Sequence, residues 1–165
     1  MKVKELFDQW SLKGLKVNLK FLEMDWAPAD AEKDAAWEMY VELITRVTTQ
    51  HLLPDEGDEE TALASIHSLF DVTRKVIKEH GRHCEAFARI AIVILNQRIR
   101  PFTAKWHRLA VAGELKKPEA KVAFRKDLAE LQDVLRGYTG LLATVANVED
   151  MTALKDGQQG GAGNA

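Results

Sequence analysis

The chain has 165 residues, a net charge of −2, and 46% hydrophobic against 29% charged residues; that is a globular composition of one domain's size, which excludes disordered and membrane-spanning classes. No apolar run approaches the roughly 20 residues a bilayer crossing needs, and the charged start, Met1-Lys-Val-Lys-Glu-Leu-Phe7, lacks the apolar core of a signal peptide. One cysteine, Cys84, leaves no internal disulfide and no cysteine-rich zinc finger, so the expectation is a cytoplasmic protein that folds without metal or cofactor and has no membrane segment.

The N-terminal segment, residues 1–28, carries two periods at once. Leu12, Leu15, Leu19, Leu22 and Trp26 recur at helical spacing, while Leu15-Lys-Val-Asn-Leu-Lys-Phe21 alternates as a strand does. A helix broken near Gly14 is the first reading, and an extended arm that docks on a partner is the second. Trp10 and Trp26 flank this segment and are the candidate partner-binding residues, because tryptophan favours interfaces as well as cores.

Residues 29–154 read as an all-α, four- or five-helix antiparallel bundle. The first bundle helix starts at Asp30 and carries Trp37, Tyr40, Val41, Ile44, Val47 and His51 on one stripe. Pro54 and Gly57 turn the chain, and the acidic run Asp55-Glu-Gly-Asp-Glu-Glu60 suits a helix N-terminus. The next helix spans Asp58–His80 and stops at Gly81. A long helix over Glu85–Ala112 should kink at Pro101, which cannot donate a backbone hydrogen bond. Pro118 opens the last helix, whose stripe is Phe124, Leu128, Leu131, Leu135, Tyr138, Leu142 and Val145. The Gly-rich residues 155–165 read as a disordered tail.

Charge is unevenly placed. Residues 1–60 hold 7 Lys/Arg against 14 Asp/Glu, and residues 98–126 hold 9 Lys/Arg against 2 Glu. The two regions either pack together and neutralise each other, or the basic one presents RNA or another polyanion with a docking face, with Phe102, Trp106 and Phe124 interleaved to stack bases. His80, His83 and Cys84, with His67 further off, can ligate zinc chemically, but adjacent side chains diverge and no second ligand pair exists, so no metal is assigned.

On a helix, Asn96, Arg100, Thr103 and His107 fall on one polar strip, with Arg108 beside it. A guanidinium fork can hold phosphate oxygens, and an imidazole can move a proton near neutral pH. Arg100, six intervening residues and His107, on a helix of an all-α bundle, resemble the motif of HEPN-type ribonucleases. The resemblance implies metal-independent RNA cleavage by Arg100 and His107 across a dimer, although Pro101 stands where that family often has a polar residue. The segments Tyr40–Gln50, Ala91–Gln97 and Arg100–His107 also resemble small helical bacterial proteins that accompany multi-gene systems, antiviral defence among them. The leading expectation is a non-enzymatic interaction or accessory subunit with a protein partner or a second copy of itself. A ribonuclease using Arg100 and His107, and a binder of a small anionic ligand at Asn96, Arg100, Thr103, His107 and Arg108, are the alternatives.

Overall fold

Helical periodicity dominates the chain, and in the computed structural model, which describes residues 1–152, the helices run in this order. They are α1 (Val3–Gln9), α2 (Leu19–Leu22), α3 (Asp30–Ile44), α4 (Glu59–His67), α5 (Leu69–His80), α6 (Glu85–Ile94), α7 (Arg100–Val111) and α8 (Pro118–Ala146). Among the described residues the fold is an all-α bundle, with a lone antiparallel bridge between Lys2 and Asp25. The bundle boundary expected at 154 and the tail expected over 155–165 lie outside those residues.

Helix α8 is the axis of the bundle. All seven stripe residues, Phe124 through Val145, are buried as the period requires, each contributing roughly 1.5–3 kcal/mol by leaving water. Helix α3 packs along it and also against α5 and α6. Its buried face is Glu32, Ala35, Ala36, Met39, Tyr40 and Leu43. Trp37, expected on the apolar stripe, is instead 42% exposed beside that face and stacks on Tyr40 with ring centres 5.8 Å apart.

Helix α3 ends seven residues before His51, the end expected for it. Three threonines compete with the backbone ladder there. Thr45 Oγ1 donates to Val41 O at 2.7 Å, and Thr48 and Thr49 Oγ1 both donate to Leu43 O, at 2.5 and 3.2 Å. The side-chain amide of Gln132, buried on α8, then donates to Val47 O and Gln50 O at 2.6 and 2.5 Å and fixes the loop. The helix expected over Asp58–His80 bends at Ser68, whose hydroxyl donates to Ser65 O at 2.6 Å and accepts from Arg46 Nη1 at 2.7 Å. Asp58 caps α4 through Thr61 N at 2.8 Å.

Near Pro101, where a kink is expected, the helix changes form. Residues Leu95–Ile99 make a π-helical turn, and Arg100 N reaches back five residues to Leu95 O. The extra residue in that turn accommodates a proline that cannot join the ordinary ladder, placing Pro101 in the first turn of α7.

The π-turn also turns Gln97 and Arg98 toward the N-terminal segment. Lys16 N donates to Gln97 Oε1 at 2.7 Å, Gln97 Nε2 donates to Lys16 O at 2.6 Å, and Arg98 Nη2 donates to Lys13 O at 3.4 Å. Residues 1–28 therefore follow neither simple reading. They form a short helix, a turn with Gly14 at φ +80°, a stretch without regular secondary structure and the helical turn α2. The arm lies on its own bundle, and Val3, Leu6, Phe7, Leu12, Phe21 and Trp26 join one continuous core.

Candidate functional site

The bend at Ser68 places the last residue of α4 and the first turns of α5 along one side of α7. The resulting open groove, about 390 Å³, is lined by His67, Phe70, Arg74, Arg100, Thr103, Ala104 and His107. Stacking orders its side chains. The Arg100 guanidinium lies 4.9 Å from the Phe70 ring centre, Phe70 lies 5.4 Å from His67, and His67 meets His107 edge-on at 4.9 Å. Cation–π and edge contacts hold each member against the next.

The expected residues divide into three roles. Arg100 and His107 are exposed and share the groove. Asn96 lies outside it but orients Arg100, accepting from its Nε at 3.0 Å. Thr103 is buried, and its hydroxyl donates to Ile99 O and Arg100 O, both at 3.1 Å, so it shapes the wall without offering a donor. Arg108 is exposed and does not line the groove. His67, Phe70 and Arg74 were missed as partners of this strip. No sequence signal pairs them with it, because the bend at Ser68 between α4 and α5 brings them there.

Trp10 and Trp26, the candidate partner-binding pair, are placed against the chain's own core. Trp10 is half-buried over α8, with Nε1 donating to Thr144 Oγ1 at 3.1 Å. Its ring occupies the space a side chain at Gly140 would need: a Cβ there would sit 2.2 Å from Trp10 Cε3. Trp26 is buried, and its Nε1 donates to Glu32 Oε2 at 2.5 Å. Glu32, a buried carboxylate, also accepts from Ala86 N at 2.9 Å and so joins the arm, α3 and α6. A larger cavity of about 730 Å³ opens beside this junction, with Phe21, Met24 and Trp26 among its walls.

The aromatic residues of segment 98–126 are not available to stack bases. Phe102 and Trp106 are buried and each meets buried Phe124, with ring centres 5.5 and 5.2 Å apart. Part of the segment's charge is also matched. Arg125 donates to buried Glu59 at 2.8 Å and to Leu53 O and Glu56 O, Lys121 lies 3.8 Å from Glu59, and Lys105 pairs with Asp127 at 2.6 Å. The acidic and basic regions thus neutralise each other in part. Of the zinc-capable residues, His80 turns to Glu38 on α3 at 3.0 Å, His83 is exposed, and Cys84 is buried with Sγ 3.2 Å from Gly81 O. Burial and the nearby Glu32 charge push the Cys84 thiol pKa up, which disfavours the thiolate a metal requires.

Among the described residues no helix is long and apolar enough to cross a membrane. No family model, curated protein or solved structure matches this chain.

Proposed function

We propose that this protein is a helical interaction subunit whose groove between α4–α5 and α7 docks a phosphate-bearing partner. One observation carries the reading: Arg100, Arg74, His67 and His107 converge on an open groove whose lining, among the described residues, includes no carboxylate; Asp71, outside the lining, pairs with Arg74. Among the described residues Arg100 hydrogen-bonds Asn96 through Nε alone, which leaves its Nη groups for an oxyanion. Phe70 beneath the guanidinium fixes its plane without neutralising it. Single-stranded RNA is a suitable probe, since it brings phosphates in series and a strand thin enough for an open groove. Titration of a labelled RNA oligonucleotide in EDTA should give saturable binding, with the RNA recovered intact. Absence of binding at low ionic strength would refute the docking role.

A second reading has its own observation. His67 supplies a second imidazole 4.9 Å from His107, and two imidazoles beside an arginine are the groups needed to cleave RNA through its 2′-hydroxyl without metal. In that case one imidazole would take the 2′-hydroxyl proton, the other would protonate the departing 5′ oxygen, and Arg100 would hold the phosphate. EDTA-resistant cleavage that disappears in His107→Ala, with the helical signal unchanged, would select this reading over simple docking. Membership of an antiviral or other multi-gene assembly is a further element of the proposal, tested by co-purification of a complex from the native cell.

A further inference from the structure

The groove holds two permanent cations and two groups that become cationic on taking a proton. Arg100 and Arg74 are charged at all working pH. His67 and His107 touch edge to face at 4.9 Å, both exposed. Of the charged groups around them, one carboxylate compensates a groove cation directly: Asp71, on Arg74. On α4, Glu60 lies two turns from His67 and lines a separate pocket with Lys116. On α5, Asp71 is paired with Arg74, and Lys75, Lys78 and Glu79 line the next pocket along. On α7, Arg108 adds another cation outside the groove. An anion seated among these groups favours the charged form of each imidazole beside it.

We infer that anion docking in this groove is coupled to proton uptake by the His67–His107 pair, so the grip tightens as pH falls through the imidazole range. The inference rests on reading the groove as an anion dock, and adds how that dock is regulated. By linkage, a rise of one pH unit in an imidazole's midpoint on binding corresponds to about a tenfold gain in affinity on the acid side of the titration.

The test uses the intact wild-type chain and a thymidine hexamer without terminal phosphates. Its diesters keep one charge each across the range, and it lacks the 2′-hydroxyl, so it stays whole whichever function holds. Ring-proton NMR follows all five histidines from pH 5 to 8 at constant ionic strength, in EDTA, with and without saturating hexamer. The expected result is an upward midpoint shift for His67, His107 or both, with His51, His80 and His83 unmoved, and a matching fall in Kd toward low pH. Binding that leaves both groove midpoints in place overturns the coupling and spares the dock. Failure to bind at any pH overturns the dock and the coupling together.

Discussion

Glu59 and Gly140 show how single residues set the stability of this fold. Burial alone would raise the Glu59 pKa. The Arg125 hydrogen bond, its own backbone N–H and the charges of Arg125 and Lys121 outweigh that and hold it below the usual carboxylate range. A depressed carboxylate stabilises the fold fully above its unfolded pKa, near 4.3, and loses that contribution as pH falls through the folded value. Glu59→Gln should therefore destabilise the protein by about 2 kcal/mol at pH 7 in urea melts, and the gap to wild type should narrow below about pH 4. Gly140 is required for a different reason. A methyl there collides with the Trp10 ring, so Gly140→Ala should cost about 1–3 kcal/mol. Adding Trp10→Ala should make the double variant's loss clearly less than the sum of the two single losses. Strict additivity would mean that Trp10 is not seated on Gly140.

At the scale of elements, periodic apolar residues announced the helices, and short polar side chains decided where they stop. The α8 stripe was legible because seven large residues share one face with no competing signal. The end of α3 was not, because Thr45, Thr48 and Thr49 are ordinary helix residues until their hydroxyls find carbonyls and Gln132 arrives from α8. Trp37 misled for a related reason: the buried face runs through Ala35 and Ala36, whose small size hides them in a hydrophobic stripe. Pro101 signalled a kink, but the π-turn that accommodates it could not be inferred without Gln97's partner on the arm. That partner gives a prediction. Gln97→Ala removes both hydrogen bonds to Lys16. It should raise amide exchange at Lys16 and its neighbours by about tenfold, as expected for local loss of 1–2 kcal/mol, with global stability nearly unchanged.

At the scale of the molecule, the split of charge seen in the sequence resolves, among the described residues, into partial internal neutralisation and a small cationic groove. Half of the candidate site was legible, as Arg100 and His107 on one strip. The other half was not, because His67 and Arg74 are brought to that strip by the Ser68 bend, a tertiary event. A groove this size should engage two or three phosphates. The salt dependence of RNA binding should be correspondingly shallow, with a log–log slope of about −2; a slope beyond about −5 would mean a far larger surface. The most direct test of the docking role compares substitutions inside and outside the groove. RNA affinity at fixed pH and salt should fall by about tenfold or more in Arg100→Gln, as expected for loss of a charge-assisted contact. Arg108→Gln and Lys126→Gln, both exposed and outside the groove, should change it less than about threefold, the scale of a solvent-screened charge that makes no direct contact. Equal losses in all three variants would contradict the groove as the site and leave only diffuse attraction to a basic surface.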